Sequence, residues 1–252
     1  MKTIIIGLLF IGPIYVLAWG PTGHRAIGHI AEQYLSIKAK KKISVILEGQ
    51  SLAIVSTWMD EVRSDRKYDH WEDWHWVTVP DGETYEESAK NKNGDIIQAI
   101  EATIMKLKNN RLTVAEQSEQ IKILAHLVGD IHQPLHVGTG TDKGGNEVKV
   151  KWFGQTSNLH GVWDSGMIDR SRLSYTELAQ SLGRPPKSNI LLWQQTNVWG
   201  WATESMKLRG QVYAIGDGKL GYEYSYQHWD TVKLRLLQAG VRLARILNEI
   251  YG

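Results

Sequence analysis

The stretch His126-Leu-Val-Gly-Asp130-Ile-His-Gln-Pro134-Leu-His136 decides how this chain is organised. It begins inside an apolar run, so imidazole and carboxylate groups project from a segment that is otherwise typical of a protein core. His126 and Asp130 are four residues apart and therefore lie on one face of a helix. Pro134 cannot continue a helix, and the residue before a proline is driven toward extended geometry. The sequence therefore predicts a helix that ends near Asp130, with His136 just beyond it.

A second segment, His160-Gly-Val-Trp-Asp164, repeats a histidine and an aspartate at a spacing of four. A single helical histidine is most often a hydrogen-bonded core residue. Here, however, the five candidate positions His126, Asp130, His136, His160 and Asp164 fall within 39 residues. Imidazole and carboxylate ligands without cysteine suit zinc, and also manganese or iron. The spacing therefore predicts a metal site.

Length and composition indicate one exported domain. The chain has 252 residues, 42% of them hydrophobic, and no repeat or linker divides it. A lysine at position 2, an apolar run and the small residues Val16 and Ala18 are typical of a secretory signal peptide. The run is short for a membrane span, although an uncleaved anchor is the alternative. We expect residues 1–18 to be removed by cleavage between Ala18 and Trp19, and residues 19–252 to form a single domain.

The charge balance and the absence of cysteine exclude some classes of protein. Removing residues 1–18 takes away one lysine, which leaves 28 basic against 27 acidic residues. Such a balance argues against a protein that holds duplex DNA through many phosphate contacts. An exported chain without cysteine cannot be cross-linked by disulfides. We therefore expect a secreted or periplasmic protein, most simply a bacterial one.

Helical periodicity dominates the rest of the chain. A capping box, Thr113-Val-Ala-Glu116, opens the helix that carries His126 and Asp130, and a second one starts at Ser174. Alternation over residues 148–153 predicts one strand of a short hairpin. Further helices are expected over residues 37–47, 51–63, 95–108, 189–206 and 230–251. The expected architecture is mostly helical, with helices around a metal-lined cleft.

One aromatic segment has two interpretations. In Trp71-Glu-Asp-Trp74-His75-Trp76, three indoles surround one imidazole. Indoles bury large areas, so such density is usually part of a core. Trp76, however, borders a candidate ligand, and an indole beside a metal site can also be a stacking platform for a base.

These candidates, taken together, resemble one family. The chain is similar to the S1/P1 nuclease family of zinc-dependent single-strand nucleases, from Trp19 to the C-terminal helix. The resemblance is carried by Trp19-Gly with His24 five residues on, by the stretch from His126 to His136, by Gly144-Gly-Asn146, and by Asn158-Leu-His-Gly-Val-Trp-Asp164. The candidate metal ligands are Trp19, His24, Asp60, His75, His126, Asp130, His136, His160 and Asp164.

The resemblance implies a mainly α, single-domain fold like those of phospholipase C and P1 nuclease, with a short β-hairpin and a trinuclear zinc cluster at the base of a cleft. It implies a first zinc on Asp60, His75, His126 and Asp130. A second zinc takes His136, His160 and Asp164. A third is held by His24, by Asp130 as a bridge, and by Trp19 through its α-amine and carbonyl oxygen.

The resemblance also implies roles beyond metal binding. Asp60 orients or deprotonates the attacking water, Arg63 contacts the phosphate, and Trp76 stands at the position of the family's stacking aromatic. The remaining histidines are expected to have structural or supporting roles: His29, His70, His132 and His228. Ser165 replaces an asparagine that contacts the base in some members, so the base preference does not carry over.

The function implied is hydrolysis of single-stranded DNA and RNA to 5′-phosphorylated products, with removal of phosphate from 3′-nucleotides. A monomer that is free of the membrane after signal cleavage is expected. One alternative is a zinc-dependent phospholipase C-type phosphodiesterase, which has a related fold. Another is a non-catalytic periplasmic zinc-binding protein, in which Arg63 and Trp76 have no role.

Overall fold

A computed structural model describes residues 19–109 and 111–252. The expected signal peptide, residues 1–18, lies outside the described residues. Within the described part of the chain, no helix has both the length and the apolar character that a membrane crossing requires. The mainly helical architecture predicted from the sequence is confirmed.

The described residues form twelve α-helices, five short strands and three irregular helical turns. The α-helices are α1 Pro21–Tyr34, α2 Ile37–Ile46, α3 Leu52–Val55, α4 Trp58–Glu61, α5 Ile96–Lys108, α6 Val114–Asp130, α7 Leu159–Gly161, α8 Met167–Arg170, α9 Tyr175–Ser181, α10 Lys187–Gln195, α11 Val198–Val212 and α12 Tyr222–Tyr251. The strands are β1 Val77–Thr78, β2 Val137–Gly138, β3 Lys149–Trp152, β4 Gln155–Asn158 and β5 Lys219–Leu220. Two 3₁₀ segments, Arg66–His75 and Pro134–His136, and one π-helical turn, Val162–Gly166, complete the described elements.

Helix α6 lies at the centre of the core. Thr113 and Glu116 form the predicted capping box at its start, and the helix ends at Asp130 as the sequence indicated. Its last eight residues, from Ile123 onward, are all buried, which is the mark of a helix packed on every side. The helix contacts α1, α2, α3, α4, α5 and α12. His126 and Asp130 therefore project from the best-packed part of the molecule.

The C-terminal helix α12 supports the helix that carries His24. It begins at Tyr222, eight residues before the predicted start, because the buried stripe of Tyr224, His228 and Val232 already follows helical spacing. A side chain at Gly240 would bring its Cβ within 2.5 Å of Ile30, so a residue without a side chain lets α12 approach α1 closely.

The helix predicted over residues 51–63 is wrong as a single element. It is broken between α3 and α4 at Ser56 and Thr57. The hydroxyl of Ser56 donates to the Ala53 carbonyl at 2.8 Å, a local bond that competes with regular helical pairing. The break leaves the Ser56 carbonyl free to accept a hydrogen bond from His126 Nδ1 at 2.8 Å.

The helix predicted over residues 189–206 is also wrong as a single element. Helix α10 ends at Gln195 and α11 begins at Val198. The side chain of Asn197 accepts from the backbone N–H of Gly200 at 3.0 Å and caps α11. The sequence pattern missed this N-cap because the apolar residues on either side of it continue almost in phase.

The predicted hairpin is present as β3 and β4, which pair antiparallel. Its two-residue turn consists of Phe153 and Gly154, both at positive φ, 47° and 81°, as a type I′ turn requires. The sequence did not predict β5, which pairs parallel to β3, or the parallel pair of β1 and β2. These two-residue strands form through long-range contacts and leave no periodic signal.

The parallel pair matters for the position of the candidate ligands. It joins the chain just after His75 to the chain just after His136. Arg209 is buried and donates to the carbonyl oxygens of Val79 at 2.8 Å and Val137 at 2.7 Å. The guanidinium therefore ties the two ligand-bearing segments together.

Candidate metal centre

The predicted ligands come from five separate parts of the chain and converge in three groups of side chains. In each group, the potential ligand atoms lie within 4.8 Å of one another. The groups are His24, His126 and Asp130; Asp60, His75 and His126; and His136, His160 and Asp164. Nearly all of these side chains are buried, so the sequence brings a dense set of nitrogen and oxygen donors into the core.

One set of four side chains, Asp60, His75, His126 and Asp130, has nearly the spacing of a tetrahedral site. Ligand atoms at the usual zinc bond lengths are separated from one another by about 3.3 Å. His126 Nε2 lies 3.2 Å from His75 Nδ1 and 3.3 Å from Asp130 Oδ2. His75 Nδ1 lies 2.9 Å from the same carboxylate oxygen, and Asp60 Oδ1 lies 3.8 Å from His126 Nε2. Four donors therefore surround one point.

Asp130 presents its two oxygens to different partners. Oδ2 faces His75 and His126, whereas Oδ1 lies 3.1 Å from His24 Nε2. The ring of His24 stacks on that of His126 with the centroids 4.0 Å apart. A carboxylate with one oxygen toward each of two neighbouring sites has the arrangement of a bridging ligand.

The remaining group is close but separate. His160 Nε2 lies 3.1 Å from Asp164 Oδ2, and His136 Nε2 lies 3.7 Å from Asp164 Oδ1. Asn158 caps α7 by accepting from the Gly161 N–H at 2.7 Å, which fixes the first turn that carries His160. The π-helical turn Val162–Gly166 then carries Asp164 toward the two imidazoles.

Hydrogen bonds to backbone carbonyls orient three of the imidazoles. Nδ1 lies 2.8 Å from the Ser56 carbonyl in His126, 2.6 Å from the His75 carbonyl in His136, and 2.6 Å from the Gly144 carbonyl in His160. In each ring Nδ1 is therefore the donor, and the lone pair of Nε2 is directed into the centre. Such outer bonds are the usual support of metal-binding histidines.

Several inward-facing atoms have the environment of ligands that need a cation. Four such atoms of the described candidate ligands are buried and make no hydrogen bond of good geometry: His24 Nε2, Asp130 Oδ1, His136 Nε2 and His160 Nε2. Burying a polar atom without a partner is costly. A metal ion at each group satisfies these atoms, so the donor set fits bound metal.

The pKa values of these groups follow from burial and from the carboxylates. Burial lowers the pKa of His24 and of His75 below the ordinary value. Burial also acts to lower the pKa of His126, but Asp130 and Asp60 outweigh it and raise that pKa to about 9. Burial opposes ionisation of Asp130, yet His126 and the other imidazoles hold its pKa well below the usual range. The carboxylates therefore make the site favourable for positive charge.

Trp19 lies beside the centre at the start of the described chain. Its side chain is fully buried, and the N–H of the next residue, Gly20, donates to the Asp164 carbonyl at 2.8 Å. A Cβ on Gly20 would stand 2.1 Å from the Ser165 hydroxyl, so the close approach requires glycine. The chain start is therefore held against the segment that carries Asp164.

Arg63 and Trp76 line two different hollows. Arg63 Nη1 is 3.5 Å from Asp60 Oδ1, and its side chain lines a hollow together with His75. Trp76 is half-buried and lines another hollow with Thr78, Lys90 and other residues. Trp76 follows the 3₁₀ segment that ends at His75, and none of the described candidate ligands lines its hollow.

Sequence reasoning missed one side chain that supports the centre. Gln133 is fully buried and donates to Asp164 Oδ1 at 2.6 Å, while its own oxygen accepts from the Leu135 N–H. A side chain of the segment from His126 to His136 therefore holds the candidate ligand Asp164 of the next segment. Its position between the candidate ligands Asp130 and His136 indicated a supporting role. Its partner Asp164, 31 residues away, could not be predicted from spacing.

His132 is placed differently from the ligands on either side of it. Its Nδ1 donates to the Val128 carbonyl at 2.7 Å, and its Nε2 accepts from Arg242 at 2.8 Å. Burial and the arginines Arg235 and Arg242 hold the pKa of His132 well below its ordinary value. Both ring nitrogens are thus engaged in supporting the turn after Asp130.

Comparison with known proteins shows similarity to nucleases along the whole described chain. The S1/P1 Nuclease family model matches residues 19–252. Endonuclease 2 of Arabidopsis thaliana is 31% identical over 285 residues, covering 100% of this chain and 97% of that protein. Endonuclease 4 of the same plant is 32% identical, covering 94% of this chain and 90% of that protein. Nuclease P1 of Penicillium citrinum is 28% identical, covering 93% of this chain and 98% of that protein.

Proposed function

Because the chain belongs to the S1/P1 nuclease family, we propose that it is a zinc-dependent endonuclease that cleaves single-stranded DNA and RNA and also dephosphorylates 3′-nucleotides. The observation that carries this proposal is the buried constellation of three His/Asp groups with inward-facing lone pairs. A donor set of this density suits several metal ions, and the matched nucleases align with 93% or more of this chain.

The distances support the ligand assignment that the family resemblance implies. Asp60, His75, His126 and Asp130 Oδ2 would hold one zinc ion, and His136, His160 and Asp164 would hold a second. His24 and Asp130 Oδ1, together with the amine and carbonyl of Trp19, would hold a third. His24 and His126 fall into one group by distance because their rings are stacked. We assign His126 to the first ion because its Nε2 contacts His75 and Asp130 Oδ2.

Bound zinc supplies Lewis acidity and makes water a stronger acid, which is the chemistry that phosphodiester hydrolysis needs. Asp60 is the least buried of the carboxylates, 12% exposed, and is suited to accept a proton from the attacking water. Arg63 next to it offers a planar pair of N–H donors to the phosphate oxygens, where negative charge grows in the transition state. The buried carboxylates Asp130 and Asp164 keep their ligand geometry fixed.

Preference for single strands has a physical origin in this proposal. The ligands lie below the surface, and a phosphodiester reaches them only if the neighbouring bases leave their stacks. An unpaired base can rest on an aromatic face such as that of Trp76, whereas a duplex holds its bases paired. We also propose that the protein acts outside the cytoplasm as a monomer, with residues 19–252 as one domain after loss of residues 1–18.

The proposal predicts the substrate and metal dependence. Purified mature protein should hydrolyse single-stranded DNA and RNA much faster than duplex DNA, and it should leave phosphatidylcholine intact. Treatment with a chelator should abolish hydrolysis, and added zinc should restore it, as followed by gel assay and metal analysis. Equal rates on duplex and single strands would contradict the stacking argument, and rates that are indifferent to chelator would contradict the metal-dependent mechanism.

A second prediction concerns Trp19. If its α-amine is a ligand, the nitrogen becomes one only after the Ala18–Trp19 bond is cut, since an amide nitrogen is a poor metal ligand. A free terminal amine loses its proton near pH 8, so binding zinc at neutral pH costs little. Mature protein with one extra N-terminal alanine should therefore hold about two zinc ions instead of three and lose at least about tenfold in kcat.

The control for this experiment is the same alanine added at the C-terminus, next to Gly252. That form should keep three zinc ions and full activity. If the N-terminally extended form also keeps three zinc ions and cuts at the same rate, Trp19 only packs against the core.

A further inference from the structure

A hollow beside the metal centre has no role in the function described so far. We call it the Tyr68 hollow. Its volume is about 160 Å³, its floor is Met59 and Trp71, and Tyr68 forms one wall. The candidate ligand His75 and the phosphate-contacting Arg63 line it as well. A group bound in this hollow is therefore next to the reacting phosphate.

The aromatic wall of the Tyr68 hollow is pre-organised. The ring of Tyr68 lies over that of Trp71 with centroids 4.4 Å apart at 30°. Trp58 contacts both rings, at 5.5 Å and 5.7 Å. Trp71 is buried, whereas Tyr68 is half-buried and has the ammonium of the exposed Lys67 4.8 Å from the centre of its ring. A ring held in place from behind can stack on a base without first losing its own freedom.

The rim of the hollow carries charge of both signs. Arg63 stands on one side, and the exposed carboxylates Asp69 and Glu72 stand on another. The carboxylates repel a phosphate, while they accept hydrogen bonds from sugar hydroxyls or base amino groups. The rim therefore favours a nucleoside whose phosphate lies toward Arg63.

The hollow lined by Trp76 differs in this respect. Thr78, Lys90 and Asn91 line it, and none of the described candidate ligands does. The two hollows have no lining residue in common, so they are separate places.

We propose that the Tyr68 hollow binds the nucleoside on the 5′-oxygen side of the scissile phosphate, with its base against Tyr68. The inference rests on the proposed nuclease function. In the reaction a water oxygen bonds to phosphorus, the P–O3′ bond breaks, and the O3′ oxygen takes a proton. The nucleoside on the 5′ side stays bonded to the phosphate that Arg63 contacts, which is why the hollow next to Arg63 suits it.

Two small substrates separate this role from a general effect. A dinucleoside monophosphate such as thymidylyl-thymidine has a nucleoside on each side of the phosphate, and thymidine 3′-monophosphate has only the one on O3′. Tyr68→Ala should raise the ratio of KM for the dinucleoside to KM for the mononucleotide about tenfold, as expected for one lost stack. Tyr68→Phe, which keeps the ring, should leave the ratio near the wild-type value.

Matched variants and zinc content complete the test. Tyr226→Ala removes an exposed tyrosine, 88% accessible, on the distant α12 and should leave the ratio unchanged. Tyr68→Leu keeps apolar bulk without an aromatic face, so it should raise the ratio even if the alanine variant folds poorly. An unchanged ratio in Tyr68→Leu with three zinc ions bound would overturn the proposal. If the wild type cleaves neither substrate, the nuclease proposal itself fails.

Discussion

Replacement of Asp130 by alanine is expected to lower kcat on single-stranded DNA by about 10³-fold or more and to release at least one metal ion per chain. Asp130 is fully buried, and its two oxygens face different imidazoles, His24 on one side and His75 and His126 on the other. Its loss therefore removes a donor from two groups at once. Metal analysis together with single-turnover rates measures both effects.

The metal content decides how this result is interpreted. Asp130→Asn keeps the shape of the side chain but not its charge, and it should lose metal as the alanine variant does. Asp169→Ala is a suitable control, because that carboxylate lies in the same chain segment as Asp164 but contacts the Thr22 hydroxyl at 3.4 Å. Full metal content and near-normal turnover in both Asp130 variants would show that this carboxylate is not a ligand.

Replacement of Arg63 by alanine is expected to lower kcat about 10²- to 10³-fold while the zinc content stays unchanged. The guanidinium stands 3.5 Å from Asp60 at the edge of the centre but is not itself a metal ligand. A fixed positive donor stabilises charge that appears only in the transition state, so its removal affects turnover more than substrate affinity. Rapid-quench measurement of the chemical step distinguishes an effect on turnover from an effect on substrate affinity.

Two arginine variants serve as controls for this effect. Arg63→Lys keeps the charge but not the planar pair of donors, and it should recover only part of the rate. Arg66→Ala removes an exposed arginine three residues further on and should have little effect. Near-normal kcat in Arg63→Ala would contradict a role for the guanidinium at the phosphate. Loss of zinc in that variant would instead assign Arg63 to holding Asp60 in place.

The helical class and the ends of the central helix could be predicted from the sequence. The capping box at Thr113 and the proline at 134 act over a few residues, so they determine where α6 begins and where the ligand-bearing turn leaves it. Two helix breaks were not predicted. Residues Ser56 and Asn197 interrupt apolar patterns that a periodicity argument reads as continuous, because their side-chain bonds replace helical ones.

The candidate ligands from His126 to Asp164 were predictable from the sequence pattern, because histidines and aspartates at helical spacing are uncommon in an apolar core. Trp19, His24, Asp60 and His75 were identified by the resemblance to the family. Which of them meet was decided only by the tertiary structure. Asp60 and His126 lie 66 residues apart and are brought within 3.8 Å by the packing of α4 on α6. Likewise, the Gly144 carbonyl that orients His160 and the amide of Gln133 that holds Asp164 are found only in the folded chain.

The physical reason for this division is the range over which each interaction acts. Capping, proline geometry and hydrophobic spacing act between neighbours along the chain, so the sequence by itself determined the helical class and the end of α6, and it indicated the candidate donor residues. A metal site depends on distances of about 3 Å between atoms far apart in sequence, and so do the two-residue strands β1 and β2, which hold the chain after His75 beside the chain after His136. Those distances result from the packing of α1, α4, α6 and the π-helical turn on one another, and only the tertiary structure decided them.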